Sequence, residues 1–171
     1  MTIIGIDPGP VESAYVVWDG VEILSHEKFP NDCLAARLEH PQTWFFNGPV
    51  CLVVEKLACY GMAVGAEVLE TAWSSGRFHE AFAGQANRLT RLEVKMHLCH
   101  DSRAKDTNVR QALIDRFGGP AAIRAGQKSK PRKGLPETPA GALYGISGDE
   151  WTALALCITF WDSQREGKSD G

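Results

Sequence analysis

The apolar positions of this chain fall into two kinds of run. Thr2 to Asp7 and Val50 to Glu55 are nearly continuous aliphatic stretches, and each closes on a carboxylate. Such runs predict strands buried on both faces. Ser13 to Trp18 and Val21 to Phe29 flank Asp19-Gly20, a two-residue hairpin signal. Thr90 to Leu98 alternates enough to predict a fifth strand. Helical spacing appears in four places. Asn31 or Asp32 caps a short helix to about His40, where Pro41 discourages continuation. Val64, Val68 and Ala72, with Leu69 and Trp73, predict a helix to about Ala83 that Ser74-Ser75-Gly76 bends or splits. Val109, Ala112, Leu113 and Phe117 share one face of a helix over 106–117 that Gly118-Gly119 ends. Trp151, Leu154, Ala155 and Ile158 mark the buried face of a last helix, 147–163.

The order is strand, hairpin, helix, strand, helix, strand, helix, loop, helix. It predicts an α/β fold: a mixed five-stranded sheet with helices on both faces. The chain of 171 residues suits one domain, 1–165, with a flexible tail at 166–171. No run of about 20 apolar residues occurs, so neither a membrane span nor a signal peptide is expected. Cys33, Cys51, Cys59, Cys99 and Cys157 are odd in number and lack C-x-x-C spacing, which predicts free core thiols and a cytoplasmic protein. The five tryptophans, Trp18, Trp44, Trp73, Trp151 and Trp161, read mostly as core. His97-Leu-Cys99-His100 lacks a second ligand set and reads as strand-end packing, not a zinc site.

The net charge of −3 is unevenly spread. A Pro- and Gly-rich loop at about 119–145 holds Arg124, Lys128, Lys130, Arg132 and Lys133 within eleven residues that contain no acid, so this segment carries +5 and the remainder −8. One basic loop on an acidic body fits a polyanion bound at one place.

Asp7, Glu55 and Asp149 each stand where an element starts or stops. Hydrolysis of a phosphodiester by divalent ions needs such acids, because hard cations take oxygen ligands and paired ions about 3.5–4 Å apart clamp the attacking and leaving oxygens. If the two acid-ending strands are parallel neighbours, the Asp7 and Glu55 carboxylates converge. Each acid also has a structural reading. Asp7 suits a turn before Pro8-Gly9, Glu55 an ion pair with Arg77 or Lys56, and Asp149 the first turn of a helix. Ser147-Gly-Asp-Glu150 has the form of a capping box with Glu150 as the cap partner.

IIGIDPG before a hairpin, VCLVVE ending a later strand and GDEWTALAL opening the last helix together resemble the RuvC group of Holliday-junction resolvases, within the RNase H-like superfamily. The segments YGMAVGAEVLETAW, SGRF, RAKDTNVRQALIDRFG and LYGISGDEWTALALCITF are closest to phage-type members, and the likeness runs in order along nearly the whole chain. The resemblance implies Asp7 and Glu55 as the first and second catalytic acids and Asp149 as the Asp-or-His position of the last helix. The further acid usual in the family falls at Thr152, so either one Mg²⁺ or Mn²⁺ is held with fewer protein ligands, or Glu150 or a differently placed acid substitutes. It also implies a homodimer and a cytoplasmic setting in a bacterium or a phage-infected host.

On the DNA side, Lys56, Arg77, Arg88, Arg91, Arg103 and Lys105 are candidate phosphate contacts, joined by Lys128, Lys130, Arg132 and Lys133 of the basic loop. Tyr60 and Met62 either wedge at the unpaired centre of a junction or belong to the core. The expectation is a metal-dependent, structure-selective DNA endonuclease acting on four-way or branched junctions, with no membrane partner. A junction- or fork-binding protein that does not cleave, and an RNase on structured or hybrid nucleic acid, are the rivals. The chain is too short for the two lobes of an actin-like nucleotide hydrolase.

Overall fold

The computed structural model describes residues 1–40, 49–59, 61, 63–124, 126 and 140–166. Five strands form one sheet: β1 (Thr2–Asp7), β2 (Glu12–Trp18), β3 (Ile23–Pro30), β4 (Val50–Lys56) and β5 (Gln85–Thr90). Their order is β3-β2-β1-β4-β5, with β1, β2 and β3 antiparallel and β1, β4 and β5 parallel. The expected mixed sheet is present. β1 and β4 occupy its centre, which is why both read as unbroken apolar runs.

Alternation along the strands sends side chains to two cores. Ile4, Ile6, Leu52 and Val54 pack with Leu34, Leu38 and Phe78 under α1 (Asn31–Leu38) and α2 (Ala66–Ala81). Ile3, Cys51 and Val53 pack on the other face with Leu113, Leu154 and Ile158, under α4 (Asp106–Arg116) and α5 (Glu150–Glu166). Helix α3 (Arg91–Cys99) lies on this second face and touches both α4 and α5. Each core residue is almost wholly withdrawn from water, and burying one such side chain favours folding by roughly 1.5–3 kcal/mol. α5 crosses β1, β2 and β4 so closely that any side chain at Gly5 would collide with the Ala153 carbonyl and Cys157 Sγ.

Several expectations need correction. The strand placed at 90–98 is instead β5 followed directly by α3. Thr90 Oγ1 accepts from the Glu93 backbone N–H, and the Glu93 carboxylate accepts from the Thr90 N–H at 2.6 Å, a capping box that starts a helix where the strand was expected. α2 runs unbroken through Ser74-Ser75-Gly76, because Ser74 is buried against α1 and hydrogen-bonded there. Asn31 does not cap α1 with its side chain. Ile114, not Ala112, completes the buried face of α4, and α5 is buried nearly all round from Ala153 to Phe160. Trp73, Cys33 and Cys59 are exposed. Within the Pro/Gly-rich loop, a 3₁₀ turn (Gly119–Ile123) is joined to the returning chain by the Gly141 N–H on the Arg124 carbonyl and the Leu143 N–H on the Ala122 carbonyl. Among the described residues no helix is long and apolar enough to cross a membrane.

Candidate metal and nucleic-acid site

Asp7 and Glu55 close adjacent parallel strands. Ile6 pairs with Val54, so the next residue of each strand falls in step, and both carboxylates project to the α5 face. The turn behind Asp7 is held by a buried polar network. Ser13 Oγ donates to Asn31 Oδ1 at 2.6 Å, and Asn31 Nδ2 donates to Ser74 Oγ and to the Gly9 carbonyl. The Gly9 N–H in turn donates to Ser13 Oγ. These bonds tie β2, α1 and α2 to the Pro8-Gly9 turn and fix where β1 ends.

The two acids share a hydrogen bond, and burial first, then the Glu55 charge and that bond, push the Asp7 carboxyl up to about 8. Asp149 adds a smaller repulsion, while Arg91 works the other way. Glu55 is buried, and Arg91, the first residue of α3, reaches it with Nε at 3.3 Å. Asp149 stands one residue before α5 and accepts from Lys28 Nζ at 2.8 Å. Both members of that pair are half-exposed, so water screens it and it contributes little to stability.

Glu150 is occupied elsewhere. Its Oε2 accepts from the Ser147 N–H at 2.7 Å, as the capping pattern predicts, and its Oε1 lies 3.3 Å from His26 Nδ1. That His26 nitrogen is buried without a well-directed hydrogen bond, so the contact is one of proximity. Thr152 lines a cleft of about 270 Å³ together with Glu55, Arg91, Lys95, Asp106 and Asp149. Asp106 stands 3.8 Å from Arg91 and 3.7 Å from Lys95.

Two mutually repelling oxygen donors, the half-buried Asp7 and the buried Glu55, with a third acid nearby are a donor set suited to a hard divalent cation. Among the described residues, however, no three or more His, Cys, Asp or Glu side chains form a group poised to hold a metal. Glu55 also contacts Arg91, and Asp149 contacts Lys28. Asp7 and Glu55 offer oxygen donors of the kind a hard divalent cation takes, and Asp149 is engaged by Lys28.

The remaining expectations divide. Lys56, Arg88, Arg103 and Lys105 are exposed, whereas Arg77 is paired with Asp32 at 2.6 Å. Tyr60, Met62, Lys128, Lys130, Arg132, Lys133 and Trp44 lie outside the described residues. His97 is on a helix, bonded at 2.8 Å to Asp162, which also takes two bonds from Arg116. Lys95, Asp106 and Arg110 were missed as cleft residues, and Lys28 as the partner of Asp149. For Lys95 the missing signal was the T-x-x-E capping pattern at Thr90, which makes Arg91 and Lys95 neighbours on one helical face.

A scan against protein-family models finds no match, and no curated protein matches in sequence. Solved structures do match. Thermus thermophilus RuvC superposes with a TM-score of 0.65 at 19% identity, over 98% of this chain and 97% of that one. T. thermophilus RuvC in complex with a Holliday junction substrate gives 0.64 at 18% identity, over 98% and 96%. At this identity the likeness is one of fold, and over its full length this chain has the fold of RuvC.

Proposed function

We propose that this chain is a divalent-metal-dependent DNA endonuclease that resolves four-way or branched junctions. The observation that carries the reading is the Asp7–Glu55 pair: a half-buried and a buried carboxylate set together at the ends of parallel central strands, with Asp149 beside them. Support comes from the shared fold with RuvC, one structure of which holds a Holliday junction substrate.

Asp7 and Glu55 would hold Mg²⁺ or Mn²⁺, and Asp149 would join them on exchanging Lys28 for the cation. Once bound, the ion supplies Lewis-acid polarisation of a phosphate and a water acidic enough to attack it. Arg91 orients Glu55 through Nε and keeps its second edge toward Asp106. Glu150 is left out of the ligand set, since its Oε2 takes the Ser147 N–H at the start of α5 and its Oε1 lies against His26. Lys28, Lys95 and Arg110 surround the acids with positive charge, which draws a phosphodiester toward an otherwise repulsive cluster.

The test is a labelled four-way junction incubated with Mg²⁺ or Mn²⁺ and either the wild-type chain or Asp7→Asn. The wild type cuts and the variant loses at least about a hundredfold in rate, as expected for loss of a metal ligand's chemistry. Equal cutting by both removes Asp7 from the reaction. A second reading, a junction-binding protein without cleavage, has one observation in its favour: Thr152 occupies a cleft position where a carboxylate would strengthen metal binding. Tight junction binding with no nicking in either metal selects it.

We further propose a homodimer through α2. Val68, Leu69 and Trp73, with Val64 just before the helix, are 36–68% exposed and lie on one side of it. Apolar groups so arranged are the residue of a face that expects a cover. A two-fold axis through α2 would give the two sites that symmetric cutting of a four-way junction needs.

A further inference from the structure

On the sheet face opposite the acids lies a second cavity, about 570 Å³, between the end of β4, the middle of α2 and β5. Lys56, Ser75, His79 and Arg88 supply its polar lining, and no carboxylate lines it. Arg77, Arg91, Arg116, Lys28 and Lys95 all stand within ion-pair distance of an acid, whereas neither Lys56 nor Arg88 pairs with any described carboxylate. His79 Nε2 is shielded from solvent and has no hydrogen-bond partner. Burial and the Arg88 charge hold this imidazole below its ordinary basicity. An unpaired buried polar nitrogen carries a standing cost that a suitably placed ligand atom relieves.

The strand geometry ties this cavity to the acids. Lys56 follows Glu55 directly, and successive side chains of a strand point to opposite faces. A ligand at Lys56 therefore sits across the end of β4 from the Asp7–Glu55 pair. Two unpaired cations, a hydroxyl and an imidazole, without an acid among them, are complementary to a phosphate group. The volume exceeds what a bare phosphate needs and admits one carrying its sugars.

We propose that Lys56, His79 and Arg88 form a phosphate-binding pocket that holds a backbone phosphate of a nucleic-acid strand passing over the end of β4. The proposal deepens the nuclease reading and rests on it for the source of the phosphate; a free phosphate ester has the same chemistry, and the test separates the two.

The experiment uses the full chain in EDTA. Fluorescence anisotropy of a labelled four-way junction is followed over a salt series for the wild type and for the Lys56→Gln/Arg88→Gln double variant. In parallel, the His79 imidazole is followed by NMR during titration with inorganic phosphate. The double variant is expected to bind the junction about tenfold more weakly, with the slope of log K against log salt reduced by about one. Phosphate is expected to shift the His79 signals of the wild type only. The Mn²⁺-induced rise in melting temperature, which reports the acids, stays as in the wild type and shows that the variant is folded. Unchanged junction affinity and slope overturn the nucleic-acid assignment, and if phosphate still moves His79 the pocket belongs to a free phosphate ester. If phosphate does not move it either, the pocket is discarded. A wild type that binds no junction at all overturns the nuclease reading, and the His79 titration then decides the pocket by itself.

Discussion

Burial and repulsion act together on Asp7. Its carboxyl is pushed up to about 8 from an ordinary 3.8, so between these values the metal-free native state keeps a proton that the unfolded chain has lost. Stability therefore falls as pH rises through that window, and the full penalty is present above about pH 8. Asp7→Asn removes the charge but keeps the shape. In EDTA at pH 8 its melting temperature is expected to exceed the wild type's by roughly 3–8 °C, a gain of about 1–3 kcal/mol, with the gap closing toward pH 4. Adding Mn²⁺ should reverse the order, since only the wild type gains binding free energy. Because the cation must displace the Asp7 proton, its affinity should climb by up to tenfold per pH unit and level off near 8. Calorimetric scans with and without metal check both, and a pH-independent gap would show that Asp7 ionises freely. Thr152 gives the complementary test. A carboxylate there adds an oxygen ligand to the cleft wall, so Thr152→Asp should tighten Mn²⁺ binding by about tenfold, a stabilisation of about 1.4 kcal/mol. No change would place that side chain out of reach of the ion.

At the scale of elements, α3 matters because its first residue holds Glu55. Its start depends on Thr90, whose hydroxyl satisfies the Glu93 N–H. Thr90→Ala is expected to cost about 1 kcal/mol in urea denaturation and to loosen Arg91 from Glu55. Unaltered stability would mean that tertiary contacts alone hold the helix. The same element shows what could be read from the chain and what could not. β1 and β4 were legible because central parallel strands bury both faces, and their final acids, Asp7 and Glu55, were legible with them. The α5 cap was equally plain from Ser147 and Glu150. β5 was not, because an edge strand reading Gln-Ala-Asn-Arg-Leu-Thr carries too little apolar pattern, and the stronger alternation after it belonged to a helix. The Ser13–Asn31–Ser74 network was hidden for a different reason. Each residue has an ordinary local role in a strand, a helix start or a helix break, and only the packing of α1 on α2 turns them into one buried cluster.

For the whole molecule, the arrangement of faces bears on the proposed cutting of both strands. The acids and their cleft occupy the α3–α5 side, and the exposed apolar side of α2 lies behind the opposite face. A dimer through α2 therefore covers the apolar residues and leaves both clefts open. A single site nicks one strand of a junction and then depends on a second encounter, whereas two sites on one axis make both cuts within one bound complex. Trp73 is 68% exposed, so Trp73→Glu does not disturb the core, but it would bury a charge in the interface, which costs several kcal/mol. Light scattering should show a wild-type dimer and a monomeric variant at micromolar concentration. The variant should keep its Mn²⁺-induced stabilisation. With a supercoiled plasmid bearing a cruciform, the wild type should yield linear product directly, and the variant should accumulate the nicked circle first. If Trp73→Glu remains dimeric, the axis lies elsewhere. If it is monomeric yet still linearises the plasmid in one step, paired cutting does not depend on two sites held by α2.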